Sequence, residues 1–96
     1  MTVASCRITL YLPDSHSLKE KRSVIQSLLR RLRERHNVSA VEADCLDLWQ
    51  KAVLAVALAA PERREAEVRL QRILRDVEEL SGLKHVEFEP EYHTPA

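Results

Sequence analysis

Glycine occurs once in these 96 residues, at Gly82, and asparagine once, at Asn37. A single glycine leaves nothing from which to build a glycine-rich phosphate loop. Cysteine is also scarce: Cys6 and Cys45 form no C-x-x-C pair, which points to free thiols in an intracellular protein. No spacing among those two cysteines and His16, His36, His85 and His93 matches a metal pattern, so no metal is expected. No Ser/His/Asp arrangement falls in a recognisable motif either. The longest near-apolar run, residues 52–61, is too short to span a bilayer. The chain opens directly on a strand-like pattern, so neither a targeting peptide nor a membrane partner is expected. These absences predict a cytoplasmic, non-enzymatic protein with no cofactor and no small-molecule ligand.

Ninety-six residues, 45% apolar and 31% charged, suit one globular domain spanning residues 1–96, and are too apolar for disorder. Formal net charge is zero, yet the charge is unevenly spread. Residues 19–36 carry seven basic side chains (Lys19, Lys21, Arg22, Arg30, Arg31, Arg33 and Arg35) against Glu20 and Glu34. That local net of +5 leaves the remainder at −5. Arginine outnumbers lysine eleven to four, a bias that fits a GC-rich genome or a hot habitat without separating them.

From Thr2 to Leu12 the chain alternates with period two, apolar at Ala4, Cys6, Ile8, Leu10 and Leu12, as a strand with one buried face does. Pro13 to His16 is a turn, and Ser17 with Glu20 makes the S-x-x-E capping box that starts a helix. Leu18, Ile25, Leu28, Leu29 and Leu32 share one side of that helix, with Val24 at its edge and His36 at its end. His36 reads as a packed residue at the negative helix terminus, and Asn37 as the stop. A short strand over 38–44 follows. Lys51–Ala60 reads as a central strand buried on both faces. Pro61 suits the first position of a second helix, buried through Ala66, Leu70, Ile73, Leu74, Val77 and Leu80 and ended by Gly82. Its outer face is expected to pair internally as Glu65–Arg69, Arg72–Asp76 and Arg75–Glu79. Val86 and Phe88 belong to a last strand with acidic outer positions, and the tail from about residue 90 is expected to fray.

The order β-α-β-β-α-β predicts an α+β, ferredoxin-like plait: a four-stranded antiparallel sheet, order 4-1-3-2, with both helices on one face. Two surfaces stand out. Lys19, Arg22, Gln26, Arg30 and Arg33 step by three or four residues, forming one acid-free row along the first helix that is a candidate for phosphates of structured RNA or a ribosomal particle. The alternative is a merely solvated basic face. On the open side of the sheet, Arg7, Thr9, Tyr11, Val53, Ala55 and Ala57 offer a single aromatic. That is too few for base stacking on the central strands and better suited to a homodimer interface, so the alternative function is an interaction module, homodimeric through the sheet, whose basic helix meets an acidic protein partner. Between the middle strands, Asp44, Asp47 and Trp49 read as a polar loop pinned by a buried tryptophan, not as a carboxylate pair for acid–base chemistry.

The stretch HSLKEKRSVIQSLLRRLRERHNVSAVEAD, followed by DLWQKAVLAVALAA, resembles the small bacterial YlxP-like proteins, a family whose function is not established. The matching positions include Ser17, Lys19, Lys21, Arg22, Arg33, Asn37, Glu42, Asp44, Trp49 and Gln50. His36 departs from an expected aromatic and Ala55 from an expected glycine. The resemblance implies a ferredoxin-like fold, a cytoplasmic location and genes neighbouring those of translation initiation and ribosome maturation factors. It implies no catalytic residues.

Overall fold

The period-two register of the first segment forms strand β1 (Thr2–Tyr11), which occupies the centre of an antiparallel sheet between β3 (Lys51–Ala60) and β4 (Val86–His93). Strand β2 (Ser39–Asp44) pairs with the other side of β3, giving the order β2-β3-β1-β4. This is the expected 4-1-3-2 plait read from its opposite edge. The computed structural model describes residues 1–83 and 85–95. Helices α1 (Leu18–His36) and α2 (Arg63–Ser81) lie side by side on one face, α1 over β2 and α2 over β1, β3 and β4.

The core lies between sheet and helices. Ala4, Cys6, Ile8 and Leu10 of β1 point into it, as do their partners Leu58, Val56, Leu54 and Ala52 of β3. Ile25, Leu28, Leu29 and Leu32 of α1 and Ala66, Leu70, Ile73 and Val77 of α2 close it from above. Burial pushes the Cys6 thiol up to about 12, because a thiolate there would have no water to solvate it.

Several local expectations change. The capping box forms, with Ser17 Oγ accepting from the Glu20 amide at 3.1 Å, but the Glu20 carboxylate reaches past Ser17 to the His16 amide at 2.8 Å. Helix α2 starts at Arg63 behind an N-cap Glu62, so Pro61 precedes the helix and does not open it. Asn37 and Gly82 close the two helices in the left-handed region, with φ of 50° and 69°. Strand β3 is doubly buried only near Val53, and its open face is exposed at Ala57 and Ala59. The tail from residue 90 does not fray: Pro90, Glu91, Tyr92 and His93 pair with Cys6, Ser5, Ala4 and Val3. Pro90 is tolerated because β4 is an edge strand, where a missing N–H leaves no ladder bond unmade. Ala96 lies outside the described residues. Asp76 does not pair with Arg72; it accepts from His36 Nε2 at 2.6 Å and lies 3.6 Å from Arg35, tying the two helices together. Arg69 donates to the carbonyls of Ala59 and His36 and not to Glu65, so it joins the end of α1 to the end of β3. Among the described residues the i,i+4 ion pair of α2 is Arg63–Glu67 at 2.9 Å, and the expected Arg75–Glu79 pair does not form.

Candidate nucleic-acid interface

The seven basic residues of α1 divide by what they touch. Lys21 falls in the apolar stripe, three residues after Leu18 and four before Ile25, and its side chain is fully buried. Its Nζ lies 2.8 Å from Glu42 Oε2 and donates to the Cys45 carbonyl at 2.6 Å. Arg33 remains exposed, yet its guanidinium grips the Ala40 carbonyl on the edge strand β2 through Nε at 3.1 Å and Nη2 at 2.6 Å. Arg35 leans on Asp76. The remaining four, Lys19, Arg22, Arg30 and Arg31, are exposed, and among the described residues no carboxylate lies within ion-pair distance of them. Lys19, Arg22, Gln26 and Arg30 therefore keep the row predicted from spacing, about 16 Å long at 1.5 Å per residue, while Arg33 belongs to the fold. Arg33 also fixes where the row runs, since its hold on Ala40 sets that side of α1 along the β2 edge of the sheet.

At one end of this row lies the β2–β3 connection. A bulge between Glu42 and Asp44 shifts the register of β2, so Glu42 stays in phase with core-facing Leu54 while Asp44 pairs with Val53 on the open face. Asp44 there accepts from the Cys45 amide at 2.7 Å and from Arg7 at 3.3 Å. Cys45 sits at φ 58°, an uncommon conformation for a side-chain-bearing residue, and its carbonyl accepts from both Lys21 and the Leu48 amide. At the far end, the Leu12 amide donates to the Gln50 carbonyl at 2.9 Å, and the Gln50 side chain donates to the carbonyls of Pro13 and Ser15. Between these anchors Leu46, Leu48 and Trp49 are about half exposed, at 56%, 49% and 47%. Trp49 is thus not the buried pin expected of it. The loop is pinned from below by Lys21 and Gln50, and its apolar side chains face outward.

The open face of the sheet is less free than its composition suggests. Thr9 and Val53, two of the six candidate interface residues, are already buried within the chain. Arg7 is bridged to Asp44, and Tyr11 donates to Glu87 at 3.2 Å with Lys51 Nζ 5.7 Å from its ring centre. Ala55 is half-buried and Ala57 exposed. Glu87, Glu89 and Glu91 form an acidic column along β4 on the same face. Among the described residues no three His, Cys, Asp or Glu side chains gather as a metal site would require, and no helix is long and apolar enough to cross a membrane.

Residues 3–89 match the family described as Protein of unknown function (DUF503). This chain belongs to that family. The uncharacterized protein YlxP of Bacillus subtilis (strain 168) is 38% identical over 71 residues, covering 74% of this chain and 75% of that protein, in line with the YlxP-like resemblance. Solved structures share the DUF503 chain's fold at lower identity. A de novo designed protein with a ferredoxin fold superposes with a TM-score of 0.54 at 12% identity, covering 99% of this chain and 87% of the other. A dimeric ferredoxin-like protein from an uncultured marine organism gives 0.53 at 8% identity, covering 100% and 91%. These likenesses establish the plait and nothing about chemistry.

What sequence reading missed in this DUF503 chain is the division of labour among adjacent cations. A signal was present: Lys21 occupies a stripe position of α1, and Glu42 a core-phase position of β2 two residues after Ala40. Opposite charges in two core-facing slots of neighbouring elements announce a buried ion pair, since either alone would be prohibitive.

Proposed function

We propose that this DUF503 protein is a non-enzymatic, cytoplasmic RNA- or ribosome-associated protein that binds phosphates along the outer row of α1. The observation that carries the reading is the contrast within that helix: Lys21, Arg33 and Arg35 are held by the fold, whereas Lys19, Arg22 and Arg30 are exposed without a carboxylate partner among the described residues. Cations left unpaired along one line suit phosphate oxygens, with Gln26 between them able to contact sugar or base edges. Such contacts position an RNA but carry little sequence information. Of the two loop carboxylates that acid–base chemistry would use, Asp44 and Asp47, Asp44 is engaged by Arg7 and the Cys45 amide.

The test is the pair Arg22→Glu with Arg30→Glu, assayed by RNA retention across a salt series. Wild-type protein is expected to lose affinity as salt rises, with a logarithmic slope of roughly −2 to −3 for three phosphates. The double variant should lose binding and melt within a few degrees of wild type, since neither side chain supports the fold. Unaltered RNA binding would overturn the reading.

A second reading, a homodimer through the open sheet face, draws on the exposed small residues Ala57 and Ala59 and on the related plait described as dimeric. The internal Arg7–Asp44 bridge and the acidic column on β4 weigh against it. Sedimentation of a strict monomer at micromolar concentration would remove it.

A further inference from the structure

The half-exposed Trp49 is the only tryptophan in the chain, and it stands on a loop whose backbone is fastened at both ends. Both fastenings lead to the beginning of α1. Lys21 holds the Cys45 carbonyl from one residue before Arg22, and Gln50 holds the Ser15 carbonyl just before the N-cap Ser17. The loop is therefore fastened to the start of α1, the same turns that carry Lys19 and Arg22, which have no carboxylate partner among the described residues. A large aromatic surface left in water, on a loop fastened to the turns that carry Lys19 and Arg22, offers what an unpaired nucleotide requires, a flat partner for the base and positive charge for its phosphate, although the exposed Asp47 shares the loop. The aromatic deficit of the sheet face does not bear on this, because the platform stands at the tip of a hairpin and not on the central strands.

We propose that Trp49 is a stacking platform for an unpaired base, so that the RNA recognised is a hairpin or single strand whose flanking phosphates lie on Lys19 and Arg22. This rests on the phosphate-binding reading of α1 and adds to it a preference that phosphate contacts alone cannot supply. A duplex presents no base face along its sides and only one at each blunt end, so a long duplex meets the row of α1 along its length and not Trp49. The two leucines of the loop, Leu46 and Leu48, widen the apolar surface on which an extruded base or ribose would rest.

Because Trp49 is unique, its own emission reports the contact. Wild-type protein is titrated with a short RNA stem-loop, a uridine dodecamer and a long blunt RNA duplex, following Trp49 fluorescence together with anisotropy of a labelled RNA. The stem-loop and the dodecamer should quench Trp49, and the duplex should bind without quenching. Trp49→Ala should weaken stem-loop binding by roughly 5–150-fold, the range for loss of one stacked base, while leaving duplex binding unchanged and lowering the melting temperature only as far as the covered half of the indole requires. Trp49→Phe should recover part of the loss. Salt-sensitive stem-loop binding with unchanged Trp49 emission and full affinity in Trp49→Ala would overturn the platform and leave the phosphate-binding reading standing. No salt-sensitive binding to any of the three RNAs would overturn both.

Discussion

The two flanks of the sheet are built on opposite plans. On the β4 side, the edge strand carries Glu87, Glu89 and Glu91 on the open face and Pro90 within its pairing with β1. On the β2 side, the edge is shorter, its Ala40 carbonyl is held by Arg33, and its hairpin loop presents three half-exposed apolar side chains and is fastened to the start of α1, whose exposed row has no carboxylate partner among the described residues. Charge and proline on an edge strand discourage pairing with another chain. The β4 flank is defended, and the β2 flank is, on the function proposed above, the one equipped for contact. The difference teaches that the chain's zero net charge is the sum of two unlike surfaces, and that the cations of α1 are themselves split between those engaged by the fold and those left exposed.

The largest effect should come from breaking the buried support of that flank. Lys21→Ala leaves Glu42 without its cation beneath α1, where its side chain is only 7% exposed. Removing one partner of a buried pair costs about 3–5 kcal/mol, enough to lower the melting temperature by at least about 12 °C in a domain of this size. Urea unfolding of Lys21→Ala should show a midpoint well below wild type. Combining Lys21→Met with Glu42→Leu should restore most of that stability, because an apolar pair of similar volume removes the desolvation cost of both charges. The double variant also lacks the bond to the Cys45 carbonyl. Its Trp49 emission should therefore be less anisotropic than wild type despite recovered stability. Recovered stability with unchanged Trp49 anisotropy would show that Lys21 does not order the loop.

Much of the fold is legible in the chain itself. Period two at Thr2–Leu12, the Ser17/Glu20 start, Asn37 and Gly82 as helix stops, and the β-α-β-β-α-β order together specify the plait, because each signal is local and agrees with its neighbours. The hidden parts are those set by contacts between distant segments. Arg33 stands at the right spacing to extend the row, and only the position of β2 shows that Ala40 occupies it. Large aromatics are usually covered, which favours an interior place for Trp49. A turn built on Cys45 at positive φ, beneath which Lys21 already fills the space, leaves the indole outside instead. The pairing of β4 through Pro90 to His93 is hidden because glutamates and a proline resemble a loose tail, and it is β1 that supplies their ladder.

A smaller effect is expected where a cation closes the β2 edge from outside. Arg33→Met keeps the aliphatic stem and removes both bonds to the Ala40 carbonyl, which can then turn to water. The loss should be about 1 kcal/mol, read as a modest shift in the urea midpoint without change in its slope. RNA retention should be nearly unaffected, in contrast to Arg22→Glu with Arg30→Glu. Loss of RNA binding equal to that of the double variant would return Arg33 to the interface and blur the division drawn within α1.

The smallest change in stability, and the most direct comparison of the flanks, concerns the acidic column. Glu87→Thr with Glu89→Thr replaces two exposed charges on β4 by residues that favour strands. The bond from Tyr11 to Glu87 is exposed, so its loss should alter stability by less than about 0.5 kcal/mol. If the charges act as guards, the variant should self-associate at concentrations where wild type sediments as one species, because Pro90 alone interrupts only one position of an eight-residue edge strand. The same replacement on the other flank, Arg22→Thr with Arg30→Thr, removes charge from a helix, which has no open ladder to extend, and should leave the sedimentation pattern as it was. Equal association in both variants would mean that net charge, and not its placement at a strand edge, keeps the molecules apart. The contrast between a guarded and an equipped flank would then lose its physical basis.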